Sequence, residues 1–323
     1  MSLLEHVFNR TLDVIAVFSV FSYSVTFFII IRHTPKSMKA FSLPLINIFI
    51  WNAIVNALFI FARPFPMMPL ACFKLTGFIT LWVDSEIIGQ GTLMITFLVM
   101  VNVGTALVIS FSLRYITIAQ WKILKTARKV WFYLYGAILH VVFSAGYLWS
   151  YHTWSLSVDH YPEKIPKLMR KNLFCVAPEG ENGYICILYL FFFMVFVANS
   201  LMVFVGLSFY ELHKHKKIVS ERTARMQKKL LWNLIMLSGV PLLLGSAPYF
   251  AFSVFVFKHD WPYAQLIGTF CTLCMLNYGP TMCVACLLLF KNYRKALKGL
   301  FVKKPENLVT VTPVISMKHT TFT

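Results

Sequence analysis

Seven stretches of this chain, 12–31, 40–61, 89–112, 130–149, 184–210, 230–256 and 263–290, are each long and apolar enough to cross a lipid bilayer. Apart from Asp13 in the first turn of the first stretch, none holds Asp, Glu, Lys or Arg. A helix needs about 20 apolar residues to cross the hydrocarbon. A barrel strand needs only about 9 to 11, with alternating polarity. Soluble domains carry about 25% charged residues, whereas this chain of 323 residues has 13% charged and 58% hydrophobic. The stretches therefore imply a helical, polytopic membrane protein. The first lacks a short apolar core followed by a small-residue cleavage site, so no removable signal peptide is expected.

The formal charge of +18 could suggest nucleic acid, but its distribution argues for a lipid bilayer instead and against a nucleic-acid partner. Lys and Arg minus Asp and Glu give +3 between spans one and two, +5 between three and four, +5 between five and six, and +6 after span seven. The opposite side holds −1 before span one and zero in each remaining connection. The positive-inside rule then puts the N-terminus outside and the C-terminus inside. Segment 62–88 is semi-apolar, but Pro64, Pro66 and Pro69 break it and Arg63, Lys74, Asp84 and Glu86 charge it, so it is expected not to span.

The expected architecture is all-α: one seven-transmembrane bundle over 1–304, then a disordered cytoplasmic tail over 305–323. After span seven, Tyr293, Ala296, Leu297, Leu300 and Phe301 share a face while Lys291, Arg294, Lys295 and Lys298 lie elsewhere. That pattern predicts a basic amphipathic helix from Lys291 to Lys304 at the inner leaflet. The spans hold no paired aspartates, Ser–His arrangement or H-E-x-x-H, so no enzyme is expected. A ligand-gated channel or small-molecule transporter is the alternative class; an intramembrane charge, paired repeats or broken helices would favour it, and only Pro241 and Pro248 lean that way.

Several local patterns occur in order. Ile31 to Met38 reads I-R-H-T-P-K-S-M, and Asn47 and Trp51 form N-x-x-x-W. Pro69, Ala71, Phe73 and Gly77 precede span three, which closes on Arg114-Tyr115. Arg222-Thr223 leads to Met226-Gln227-Lys228-Lys229, with Pro241 beyond, and Asn292-Tyr293-Arg294 follows span seven. In this order the chain resembles the nematode serpentine chemoreceptors of the Str superfamily, nearest to classes h and i. Three departures stand out: Asn56 where related chains often have an acid, Leu113 without the acid that would pair Arg114, and Tyr278-Gly279 in place of His-Gly. Span seven also lacks N-P-x-x-Y and any Lys, which argues against an opsin.

The resemblance implies a G-protein-coupled chemosensory receptor in the plasma membrane, typically of sensory-neuron cilia. It would bind a small, uncharged environmental chemical and signal through a heterotrimeric G protein. A bundle without buried charge offers apolar shape and neutral hydrogen bonds. The candidate ligand residues are Thr96, Phe97, Met100, Phe192, Tyr249, Phe252, Thr269 and Thr272; the alternative for each is packing or lipid contact. The candidate coupling residues are Arg114, Tyr115, Lys217, Arg222, Arg225 and Lys228, although any cytoplasmic loop would be basic.

Asn52 and Asn56 lie one turn apart and read as interhelical glue, and His140 reads as packing rather than as a metal ligand. Cys271-x-x-Cys274 and Cys283-x-x-Cys286 suggest zinc, but about 18 Å separates Cys271 from Cys283 along one helix, too far for one ion. No cofactor or metal is expected. A Cys72–Cys175 bridge is the first choice among the outer cysteines, with Cys186 as the competing partner. Asn9-Arg10-Thr11 is a glycosylation sequon so close to span one that poor modification is expected.

Overall fold

The computed structural model describes residues 3–35, 39–70, 72–82, 86–119, 129–156, 172–176, 181–214, 221–258 and 260–301. It contains 7 helices long and apolar enough to cross a membrane. Spans one to five are Leu3–His33, Lys39–Ala62, Glu86–Ala119, Lys129–Trp154 and Glu181–Lys214, and span seven is Ala264–Leu289. Helix is the form that lets such sequences satisfy every backbone amide within one segment.

Span six is the exception, because Pro241 and Pro248 each lack an amide hydrogen to give the preceding turn. It runs as Glu221–Pro241, a π turn over Leu242–Ser246, and Ala247–Phe257. Such turns leave locally loosened backbone inside a helix.

Spans three and seven form the middle of the bundle, 61% and 56% buried over their most apolar windows, whereas spans four and five are 11% buried. Span three touches two, four and five, while span seven touches one and six. Four and five therefore turn most of their apolar side chains outward, as lipid permits.

Segment 62–88 does not form a span. Its described residues make strands β1 (Pro64–Pro66) and β2 (Cys72–Leu75) and a short 3-10 turn at Phe78–Leu81. Strand β3 (Leu173–Cys175), from the connection between spans four and five, completes an antiparallel sheet of order β1-β2-β3. Cys72 lies opposite Cys175, and the two are joined by a disulfide.

This sheet also explains why span one begins well before residue 12, where hydropathy places its start. The Lys74 ammonium lies 2.7 Å from the Glu5 carboxylate, and Arg63 pairs with Asp13. Phe8 packs on Phe65 with ring centroids 5.3 Å apart. The Thr76 hydroxyl donates to the side-chain oxygen of Asn9, the sequon residue, at 3.0 Å. The added helix turns are held by the sheet rather than by lipid.

Gly77 lets the chain leave the sheet and return against span two. A Cβ there would sit 2.2 Å from the Phe61 carbonyl oxygen, which is backbone and cannot swing aside. Gly77→Ala is expected to cost about 2 to 3 kcal/mol, read as a lower Tm of the purified protein. Gly91→Ala, which meets open space, is the neutral control.

After span seven a helix runs from Lys291 to Phe301. Tyr293 is buried, and Ala296 and Leu297 lie half-buried against the bundle. The Tyr293 hydroxyl hydrogen-bonds with Thr34 at 3.1 Å, and burial pushes it up to about 12, so it stays neutral at physiological pH. The tail over 305–323 lies outside the described residues.

Candidate functional site

Two adjoining hollows lie in the bundle, the outer one running from Lys258 and Trp261 at the sheet end to Leu201 and Ser238 beyond mid-span. The inner one, of about 80 Å³, is bordered by Phe97, Met100 and Gly104 of span three, Phe193 of five, Tyr249 of six and Tyr278 of seven. The outer one, of about 910 Å³, is a cleft between spans five and six. They share Leu107, Met194, Val197, Pro241, Ser246 and Tyr249, so they adjoin across these side chains. Small-molecule sites enclose about 300 to 1,000 Å³, a size the outer part alone reaches. The π turn forms the wall between them, and Gly245 brings its backbone close to Tyr278.

The candidate ligand residues separate into distinct groups. Phe97, Met100 and Tyr249 line the hollows. Phe252 is buried beside them, its ring centroid 6.0 Å from that of Phe73. Thr96, Thr269 and Thr272 are buried, and each hydroxyl donates to the carbonyl four residues earlier, to Thr92, Gln265 and Gly268. Phe192 is 64% exposed and does not line either hollow. Span five presents Phe193 to the hollow instead, one residue and about 100° further round the helix.

At the basic end, Arg114 is only 7% exposed. Its Nη2 donates to the Gln227 side-chain oxygen and, at 3.3 Å, to the Gln227 carbonyl. The inner ends of spans three and six are thereby fastened to each other. Nearby, the Tyr115 and Phe204 ring centroids lie 6.2 Å apart, and the Asn233 amide donates to the Leu289 carbonyl of span seven at 3.1 Å. Arg225 and Lys228 are exposed on the first turns of span six. Lys217 and the side chain of Arg222 lie outside the described residues.

The family model described as Serpentine type 7TM GPCR chemoreceptor Srh matches residues 4–303, taking in every span and the helix after them. The chain belongs to that family. No curated protein matches it by sequence. The Srh receptor is thus a multi-pass membrane protein of a chemoreceptor family, and that family is one of receptors rather than enzymes.

Two polar clusters join spans of the receptor, and Asn56, read from the sequence as interhelical glue, belongs to one of them. His140 of span four sets its Nδ1 2.5 Å from the Asn102 side-chain oxygen, and its ring lies 5.2 Å from that of Trp51. The Asn102 amide donates to the Ser144 hydroxyl at 3.0 Å, so spans two, three and four meet at one small cluster. On the opposite flank, the Asn56 amide approaches the Tyr23 hydroxyl at 3.3 Å and the Ser19 hydroxyl at 3.4 Å. Gly279 leaves space for Tyr23, because a Cβ would come 2.1 Å from its hydroxyl. A signal for these contacts existed in the rarity of polar residues within spans, but not for which would meet which.

Proposed function

We propose that this Srh receptor senses a small environmental molecule whose buried part is uncharged and signals through a heterotrimeric G protein docked on its basic end. In this reading the N-terminus faces outward, residues 1–304 form the receptor domain, and 305–323 form a cytoplasmic tail. The receptor works in the plasma membrane of a sensory cilium. The charge asymmetry of the connections supports the orientation, and the carbon-lined hollows support the ligand class.

The observation that carries the mechanism is the Arg114–Gln227 contact at the inner ends of spans three and six, lying on the same span as the π turn beside the hollows. A ligand pressing on Tyr249 acts on the outer half of span six. The π turn is where that half can rotate relative to the inner half, which bears Gln227. Releasing Gln227 opens the basic end between spans three and six and lets a G protein in. A ligand can shift this equilibrium only by its differential affinity for the two states.

The test is a G-protein activation assay in cells, screening small apolar compounds against receptor quantified at the surface. Gly104→Val adds methyls beyond a Cβ that would itself lie 2.9 Å from the Phe193 ring. It is expected to weaken the response to an active compound about tenfold. Phe192→Ala, on the outward face, is expected to leave that response unchanged. Equal losses in both variants, or no compound-dependent activation at all, count against the reading.

A further inference from the structure

Span two carries an exposed apolar stripe along one side. Leu43, Ile50, Ile54 and Phe61 are all exposed, and their spacing places them within about 40° of one another round the helix. Span two packs on spans one, three and seven by its other faces, so the stripe is the surface it gives to lipid.

Phe61 is the last member of the stripe, one residue from the end of the helix, and the apolar surface continues beyond it. Its ring stacks on that of Trp82, with centroids 5.6 Å and planes 21° apart, and meets that of Phe78 at 6.2 Å. The Gly77 amide donates to the Ala62 carbonyl at 3.1 Å, which brings the chain back from β2 to the end of span two. The 3-10 turn Phe78–Leu81 therefore lies beside the last turn of that helix.

The turn has two faces. Ile79 packs inward against the cluster that holds Ala62, Phe73 and Leu75, whereas Phe78, Leu81 and Trp82 are exposed, Leu81 by 72% and Trp82 by 61%. Residues 77–82 include no Asp, Glu, Lys or Arg. Arg63, which lies over the Phe78 ring at 5.9 Å, pairs with Asp13. Polar groups of the turn close on one another: the Thr80 amide and hydroxyl both donate to the Gly77 carbonyl, at 3.1 and 2.7 Å, and the Trp82 amide donates to the Ile79 carbonyl at 2.9 Å. Local closure of this kind suits a segment that water only partly reaches, and Trp is the residue that the headgroup level of a membrane selects.

We infer that residues 78–82 lie in the headgroup layer of the leaflet on the sheet side, as an interfacial anchor for the sheet. Lipid is the occupant of this face because the patch continues a lipid-facing stripe ring against ring. Phe78 follows the end of β2 by three residues, so the anchor fixes the depth at which the sheet sits. It also accounts for the semi-apolar character of 62–88: these side chains serve the membrane boundary rather than a further span. The inference concerns how the receptor is seated in the bilayer and stands whatever ligand it senses.

The experiment uses purified full-length receptor, one per disc, in phosphatidylcholine nanodiscs. The fluorescence of Trp82 is taken as the difference between wild type and Trp82→Phe, which keeps an aromatic ring against Phe61. Lipid brominated high on the acyl chain, near the glycerol, is expected to quench most of that difference. Lipid brominated near the methyl end, and iodide in the water, are each expected to remove little of it. Benzoylphenylalanine in place of Leu81 gives an independent reading, since irradiation is expected to yield a phosphatidylcholine adduct on the peptide containing position 81. Quenching by iodide without quenching by either bromolipid overturns the inference and makes the turn a water-facing loop. Stronger quenching from the methyl end than from the glycerol end also overturns it, because the segment would then lie in the hydrocarbon. A receptor–receptor adduct that replaces the lipid adduct in discs holding two copies overturns the assignment to lipid and makes the patch an interface between copies.

Discussion

Replacing Gln227 by Leu raises ligand-independent G-protein activation about tenfold per receptor at the cell surface. Leucine keeps an apolar side chain there but removes the side-chain oxygen that Arg114 uses, while the Gln227 carbonyl at 3.3 Å stays in place. A hydrogen bond to a charged group contributes about 1.5 to 3 kcal/mol net, and about 1.4 kcal/mol is a factor of ten in a two-state equilibrium. The sign follows if the contact exists only in the closed arrangement. Gln227→Glu puts a carboxylate opposite the guanidinium and should move basal activity the other way. The measurement is guanine-nucleotide exchange on membranes normalised to surface receptor. Equal reductions in both variants would mean that Gln227 belongs to the G-protein surface and is not a latch.

The second large effect concerns the sheet. Receptor with Cys72→Ser, Cys175→Ser or both is expected to lose most of its surface population, and all three variants should lose it equally. The bridge closes a loop of 103 residues, for which the chain-entropy account gives about 4.7 kcal/mol of stabilisation, most of the margin of a marginally stable fold. Strand β2 would then lose its covalent tie to β3, and the cap over Phe97 and Phe252 would loosen. Surface labelling of an N-terminal tag measures the loss. Cys186→Ser provides the comparison: Cys186 is a free, buried thiol 3.8 Å from the Ser150 hydroxyl, so its replacement should leave surface levels near wild type. If Cys186→Ser lowers them as far, the argument from the bridge fails.

The spans themselves were legible because a bilayer forces length and apolarity on each of them independently of its neighbours. The failure of 62–88 to span was legible for the same reason, since its prolines and charges violate that rule. What each helix faces was much less so. Lipid and bundle interior are equally apolar, so nothing in Phe192-Phe193 marks which ring points inward. The contact of Arg114 with span six was hidden by its form: Leu113 denied it an adjacent acid, and Gln227, a neutral partner, lies 113 positions away. Likewise Glu5 and Lys74, read one at a time, look like solvated charges, yet they join a helix to a strand across 69 positions. The interruption of span six was foreshadowed by Pro241 and Pro248, but a proline marks a break in the hydrogen-bond ladder without saying how the ladder is rejoined.

The sheet also imposes an order on manufacture. Strands β1 and β2 leave the ribosome as neighbours, but β3 is made 103 positions after Cys72, which at about 5 to 20 residues per second is a delay of roughly 5 to 20 seconds. Two further helices must be threaded into the membrane in that interval while β2 waits with one edge unpaired. Cys175 then emerges before Cys186, and it arrives within a strand whose register already sets it opposite Cys72. Timing and register therefore favour the same thiol, and slowed or stalled translation between spans three and four would lengthen the period in which the half-made cap is open to a wrong partner.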